Sequence, residues 1–180
     1  MTKKYILTGG PGSGKSSTLL ELEQRGEYII REAAEDVIKL ERKKGIERPW
    51  EMPDFQRKVL NLQIQRESTI PQSIERIFID RGIPDGLAYT KPETPLYREI
   101  KRASPIYEGV FIIQNIGKVE NNGIRHENQD DAIELEYKLK EVYLAQGYKI
   151  PTIPPMPVSE RADLILSIID RGWRSGWELR

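Results

Sequence analysis

The chain has 180 residues, enough for one domain with a sizeable core, and its 28 basic residues balance its 28 acidic ones. That balance gives no global case for nucleic acid or an anionic membrane as partner, and no run of about 18 apolar residues exists to span a bilayer. With no cysteine and a single histidine, His126, the sequence excludes disulfides, thiolate metal sites, cysteine nucleophiles and multi-histidine metal centres.

Thr2 to Gly9 reads as a first strand, and the few residues ahead of it are too short for a signal peptide. It runs into Gly9-Gly10-Pro11-Gly12-Ser13-Gly14-Lys15-Ser16-Ser17, which fits G-x-x-x-x-G-K-[ST], and then into a helical pattern through Leu19, Leu20 and Leu22. Strand, glycine-rich loop and helix in that order are the context a phosphate-binding loop needs. The glycines let the backbone bend around a phosphate, and successive N–H groups form an anion nest at a helix N-terminus. Gly10, Pro11, Gly12, Ser13, Gly14, Lys15, Ser16 and Ser17 are therefore the expected nucleotide contacts. Lys15 is expected to reach the β- and γ-phosphates of ATP, and Ser16 to offer its hydroxyl to Mg²⁺, which takes oxygen ligands. A nucleotide enzyme of this kind is expected in the cytoplasm.

Gly26 ends the first helix, and Glu27 to Arg31 form a second short strand. Glu32-Ala33-Ala34-Glu35 turns into a second helix, with Ala34, Val37, Ile38 and Glu41 on one face, closed by Gly45. After a loop holding Pro49, Trp50 and Pro53, Asp54 is the expected N-cap of a longer helix. Its stripe is Phe55, Val59 and Leu62, widened by Leu60 and Ile64, and Pro71 is expected to kink or rebuild it. Arg76 to Asp80 is a third strand ending in a carboxylate. A loop and short helix follow to Tyr89, then a helix from Thr94 to Ala103. Glu108 to Gln114 is the clearest strand, a nearly unbroken apolar run suited to burial on both faces. Gly117 to Glu127 is polar, with a hairpin signal at Asn122-Gly123. A helix from about Asn128 to Gln146 buries Leu135, Leu139 and Val142. Tyr148 to Thr152 is a fifth strand, and Ser159 caps a last helix with its core face at Ala162, Ile165, Ile169 and Trp173. Alternating strands and helices imply an open parallel sheet with ligands at the C-terminal strand ends. Gly9, Glu32, Asp80, Asn115 and Thr152 should then ring one crevice.

Asp80 holds the Walker B position, where a carboxylate binds Mg²⁺ opposite Ser16; the alternative is a cap after the strand. Arg81 can meet a phosphate or form a structural ion pair, and Asp85 can be an N-cap or contact substrate. Glu32 suits a base that takes a proton from an acceptor hydroxyl, and Glu35 lies one turn on; either can instead be a helix-start acid. Arg31 can bind an acceptor anion or lie at the surface. Trp50 and Phe55 can stack on a planar acceptor or belong to the core. Arg125 can bring a cation from a lid onto the transferring phosphoryl group, or sit in a solvated hairpin.

With these residues, the chain resembles a family of small P-loop proteins catalogued as AAA-type ATPases, related to ribosylnicotinamide kinase and more distantly to thymidylate and deoxynucleoside kinases. The resemblance runs almost end to end. It rests on Leu7 to Ser16, Arg31-Glu32-Ala33-Ala34, Ile79-Asp80-Arg81-Gly82-Ile83-Pro84-Asp85, Ala88-Tyr89, Gly123-Ile124-Arg125 with Glu127, and Pro157 to Arg161. It implies a three-layer α/β fold, nucleoside/nucleotide-kinase-like, with a five-stranded parallel sheet in the order 2-3-1-4-5. It also implies one domain over residues 1–180, an acceptor-binding helical region at 33–75 and a lid at 117–128. Ser16 stands where threonine is commoner.

The leading expectation is an ATP-dependent kinase acting on a nucleoside, nucleotide or related hydroxyl acceptor, with Lys15, Glu32, Asp80 and Arg125 as catalytic residues and Mg²⁺ on Ser16 and Asp80. The alternative is an ATPase switch or nucleotide-binding module acting through a protein partner. No Asn-Lys-x-Asp guanine-reading motif occurs, which disfavours a GTPase. No nucleic-acid or membrane partner is expected, and the chain is expected to be a monomer or homodimer. A closed cleft beside the P-loop, lined by Glu32, Trp50 and the long helix, is the feature that would favour the kinase.

Overall fold

The computed structural model describes residues 1–115 and 129–172. Five parallel strands, β1 (Lys3–Thr8), β2 (Tyr28–Ile30), β3 (Arg76–Asp80), β4 (Gly109–Ile113) and β5 (Thr152–Ile153), form one sheet in the order β2-β3-β1-β4-β5. β1 lies at the centre, with Leu7 opposite Asp80 on β3 and Thr8 opposite Ile112 on β4. The glycine loop therefore leaves the middle of the sheet, with Asp80 beside it.

Helices α1 (Lys15–Gln24), α2 (Ala33–Lys43), α3 (Phe55–Ser68), α4 (Pro95–Ala103), α5 (Gln129–Leu144) and α6 (Val158–Asp170) cover both faces. Strand alternation divides the core between them. Tyr5, Leu7, Phe78, Phe111 and Ile113 pack against Leu19 and Leu22 of α1 and Ala162, Ile165 and Ile168 of α6. Ile6, Ile77, Ile79 and Val110 point the other way, to Tyr107 and to Tyr143 of α5. A sheet buried on both faces needs the continuous apolar runs that β1, β3 and β4 carry. The turn after α1 closes as expected. Gly26 has φ 90°, its N–H donates to the Glu23 carbonyl, and the Glu27 N–H donates to that of Leu22.

Several local expectations are corrected. Asp54 stands at the N-cap of α3, as expected, but its side chain makes no cap hydrogen bond; its carboxylate pairs with Lys58 at 3.2 Å. Pro71 does not kink α3, which ends at Ser68, before it. The stripe on α3 is two faces. Phe55, Val59 and Leu62 pack with Val37 and Ile38 of α2, while Leu60, Gln63 and Glu67 turn inward and Ile64 is exposed. β5 falls later than Tyr148 to Thr152, because Tyr148 and Ile150 spend their apolar side chains on the core cluster around Tyr143 and leave strand pairing to Thr152 and Ile153. Thr152 therefore opens its strand and does not stand at its C-terminal end. Ser159 is inside α6, which starts at Val158 without a side-chain cap. The Asn122-Gly123 turn, the lid at 117–128 with Arg125, and Trp173 lie outside the described residues. No helix among the described residues is long and apolar enough to cross a membrane.

Phe111 is fully buried between two strands and the α1–α6 layer. Phe111→Ala is expected to lower the unfolding free energy by about 3–5 kcal/mol, seen as a reduced urea midpoint with an unchanged slope.

Candidate active site

The loop from Gly9 to Gly14 is shaped by backbone that only glycine adopts easily. Gly9, Gly12 and Gly14 have φ of 144°, 72° and 86°, and Gly14 is the N-cap of α1. At Gly9 a Cβ would lie 2.4 Å from the Ile113 carbonyl oxygen, so the loop is seated on the end of β4. Lys15 is 4% exposed, and its Nζ donates to the carbonyls of Gly9 at 3.0 Å and Gly10 at 2.8 Å and to Ser13 Oγ at 3.3 Å. The ammonium thus lies across the mouth of the nest, while Gly12, Ser16 and Ser17 are exposed on its rim. Two side chains brace the loop from outside. Asn115 Nδ2 donates to the Pro11 carbonyl at 3.3 Å, and Arg161 of α6 donates through Nη1 to the Ser13 carbonyl at 2.7 Å and through Nε to that of Met156 at 3.0 Å. Arg161 is 2% exposed, and burial alone holds its pKa below the usual arginine value.

Asp80 connects this loop to a second space. Ser16 Oγ donates to its Oδ2 at 2.8 Å, whereas Oδ1 is buried with no hydrogen-bond partner. Burial pushes the carboxyl up to about 6. The negative charge of Glu32 adds to that, and Lys15, Arg81 and the Ser16 hydrogen bond oppose it. A hydroxyl and an orphaned carboxylate oxygen at a phosphate nest form a donor set that suits Mg²⁺, an ion bound by one or two protein oxygens with phosphates and water completing the shell. Among the described residues no group of three or more His, Cys, Asp or Glu is arranged to hold a metal.

The segment after β3 is held in an unusual conformation. Arg81 is the only non-glycine among the described residues with positive φ, 64°. Its Nε donates to Glu32 Oε1 at 3.0 Å, its Nη1 lies 3.5 Å from Asp85 Oδ1 without a hydrogen bond, and its guanidinium sits 5.8 Å from the Tyr89 ring centre. Burial works against its charge, and Tyr89, Glu32, Asp85 and Asp80 outweigh it, so its pKa is raised. Asp85 is not the N-cap of the 3-10 helix Ile83–Tyr89; its Oδ2 accepts from the N-cap Gly82 N–H at 2.9 Å and from Tyr143, and its Oδ1 accepts from Thr8 at 2.5 Å. Beneath it, Tyr107 accepts from the Ile83 N–H and donates to Glu67, and Gln63 donates to Glu67 and to the Arg81 carbonyl.

Glu32, Asp80 and Arg81 open onto a cavity of about 500 Å³. Its wall comes from α2, α3, the 3-10 helix and the turn around Trp50, and includes Glu35, Trp50, Phe55, Gln56, Leu60 and Tyr89. Of the residues expected at one crevice, Ser16 touches Asp80, while Lys15 and Glu32 are close enough to bias its charge. Arg31 does not join them; its guanidinium is at the surface, paired with Glu23. The position of Arg125 is outside the described residues. Sequence reading missed Gln63, Glu67, Tyr107, Tyr143 and Arg161. For three of these a signal existed: Gln63 and Glu67 follow Leu60 at i+3 and i+7, and Arg161 precedes Ile165 by four, all on buried faces.

Two outcomes follow from this geometry. The folded Asp80 binds its proton more tightly than the unfolded chain, whose ordinary value is 3.8, so its contribution to stability falls as pH rises from about 4 to 6 and is level above. In metal-free protein, wild type should lose about 1–3 kcal/mol relative to Asp80→Asn between pH 4 and pH 7, read by urea unfolding. Arg161→Met leaves the Ser13 carbonyl without its charged donor, and should weaken ATP-analogue binding about tenfold in calorimetry, with Arg161→Lys recovering part of the loss.

No curated protein matches the chain. Solved structures with this fold include deoxyadenosine kinase from M. mycoides with products dCMP and dCDP bound, at 15% identity and TM-score 0.66, covering 93% of this chain and 99% of that one. Thymidylate kinase from Candida albicans aligns at 12% identity and TM-score 0.63, over 96% of this chain and 92% of that one. NadR in complex with NR aligns at 16% identity and TM-score 0.73, over 99% of this chain but 54% of that one, so the chain spans about half of NadR. At these identities the likeness is one of fold, the P-loop nucleoside-kinase fold anticipated from the motifs. The family described as AAA domain matches residues 4–161, and the chain belongs to that family of P-loop proteins.

Proposed function

We propose that the protein is an ATP-dependent phosphotransferase that moves the γ-phosphoryl group to a hydroxyl of a small acceptor held in the cavity beside the P-loop. The observation that carries this reading is the junction at Asp80. One carboxylate oxygen is tied to the P-loop serine, while the other is orphaned; Arg81, also in the cavity wall, has a buried Nη1 with no hydrogen-bond partner. An acceptor hydroxyl in the cavity can accept from that Nη1 and donate its proton to Glu32, which leaves Asp80 Oδ1 for Mg²⁺. The fold of the kinases above is consistent with this, and a cavity that shares Asp80 with the P-loop serine favours transfer to an acceptor over a hydrolytic switch.

In this reading the backbone amides from Gly10 to Ser17 hold the nucleotide phosphates, and Lys15 moves from the carbonyls of Gly9 and Gly10 to the transferring group. Ser16 and Asp80 hold Mg²⁺, which supplies charge neutralisation of the phosphates when bound. Residues 33–75 form the acceptor side and Arg125 belongs to a lid at 117–128. Arg81 orients the acceptor oxygen. Glu32, paired with Arg81 at 3.0 Å, takes the hydroxyl proton as the oxygen bonds to the γ-phosphorus and ADP leaves.

The test is ADP formation from ATP and Mg²⁺ with and without a panel of nucleosides, nicotinamide riboside and nucleoside monophosphates. One acceptor should raise turnover many-fold and be recovered phosphorylated. Glu32→Gln should cut kcat by about 10²–10⁴-fold with little change in the KM for ATP, and Lys15→Ala should abolish turnover. Turnover that no acceptor raises would overturn the reading.

A further inference from the structure

The charge of the cavity wall restricts what can fill it. Glu32, Asp80 and Asp85 are 7%, 2% and 3% exposed, and Glu35, half-buried, adds a fourth carboxylate that pairs outward with Lys39 at 3.7 Å. Arg81 is the one cationic side chain among the described residues of the wall. Its Nε is bonded to Glu32 at 3.0 Å and its Nη1 lies 3.5 Å from Asp85 Oδ1 without a hydrogen bond, so its charge is already shared between two carboxylates. Nη1 can still donate to a hydroxyl oxygen. A phosphate dianion needs more positive charge than one shared guanidinium offers, and it would here face the carboxylates of Glu32 and Asp85. Ser16 and Asp80, which would hold Mg²⁺, lie on the donor-nucleotide side of the junction. Arg31, which could have supplied a second cation, is paired with Glu23 away from the cavity. The rest of the wall is apolar or aromatic, with Trp50, Phe55 and Tyr89 offering ring faces and the Gln56 and Gln63 amides offering neutral donors and acceptors. A space of about 500 Å³ is the size of a small-molecule site.

We infer that the acceptor reaches this site without a phosphate. It is an uncharged, flat, hydroxyl-bearing compound of the nucleoside class, and the surplus of buried acids over Arg81 is a charge filter that turns away its phosphorylated form. The filter works by repulsion, through unpaired charge against the wrong ligand, more than through added contacts to the right one. This rests on the phosphotransferase reading for the identity of the site but makes a separate claim about its charge.

The experiment uses matched pairs that differ only by the phosphate: adenosine and AMP, cytidine and CMP, thymidine and dTMP, nicotinamide riboside and its monophosphate. Binding is measured by calorimetry on the wild-type protein loaded with a non-hydrolysable ATP analogue and Mg²⁺, and transfer is measured separately with ATP. In at least one pair the unphosphorylated member should bind about 100-fold or more tightly than its monophosphate. Gln56→Arg adds a cation to the wall, and should narrow that ratio by about tenfold. Monophosphates that bind as tightly as their nucleosides in wild type, or a failure of every pair to bind, would overturn the inference whatever the variant does. Selective binding of a nucleoside with no transfer to it would uphold the charge filter and sink the phosphotransferase reading. Transfer to a monophosphate in preference to its nucleoside would do the reverse.

Discussion

A carboxylate buried at the end of a central strand, with one oxygen bonded and the other orphaned, is the constraint on which the site depends. Asp80 is there because β3 pairs in register with β1, which puts it opposite Leu7 and within reach of the first turn of α1. Keeping it buried is unfavourable, and its raised pKa records that cost. The chain does not relieve it with an arginine on Oδ1, although Arg81 is the next residue. Instead Arg81 is turned into positive φ, which sends its guanidinium to Glu32 and Asp85. A strained residue persists only where its surroundings over-determine it. Here they do: Gln63 donates to its carbonyl, and a Cβ on Gly82 would lie 2.6 Å from the Tyr143 hydroxyl. Asp85 fixes the Gly82 N–H from the other side.

The P-loop is constrained in the same manner, by contacts on its outer side that leave its inner amides for a ligand. Ile113 limits Gly9, Asn115 holds the Pro11 carbonyl and Arg161 holds that of Ser13. Arg161 bonds two carbonyls and no carboxylate among the described residues, so its positive charge is not cancelled locally. A guanidinium on the Ser13 carbonyl also polarises the peptide whose N–H belongs to Gly14, in line with the cooperative strengthening of hydrogen-bond chains. α6 thereby contributes to the phosphate side of the site although it follows the P-loop by more than a hundred residues.

The parts that were legible in the sequence are those fixed by local chemistry. The P-loop motif, the apolar runs of β1, β3 and β4, and the carboxylates at the ends of β2 and β3 each announce themselves within a few residues. Parallel-sheet topology then brings Glu32 and Asp80 to one edge. What stayed hidden depends on tertiary choice. Gln63 and Glu67 look like the solvated face of α3 until Tyr107 and Arg81 arrive from distant segments to bond them. Tyr148 and Ile150 have strand character, yet the core under α5 takes their side chains and strand pairing waits until Thr152. Asp54 has the composition of a cap and spends its carboxylate on Lys58. In each case a residue had two chemically adequate partners, and only the packing decided between them.

Charge is distributed unevenly across Asp80, and this gives the proposed reaction a direction. On the P-loop side stand Lys15, Arg161 and the N-terminus of α1, all favourable to phosphate. On the cavity side, among the described residues, stand Glu32, Asp85 and Glu35 against a single shared arginine. In the proposed reaction a neutral acceptor would enter the second region without electrostatic penalty. Once it had received a phosphoryl group it would be an anion beside those carboxylates, and interactions that were neutral before transfer would turn repulsive. Donor phosphates would be held where the field is positive, whereas the product phosphate would form at its negative edge. The wall that would reject a phosphorylated acceptor on entry would therefore, by the same charges, bind the phosphorylated product weakly and assist its release.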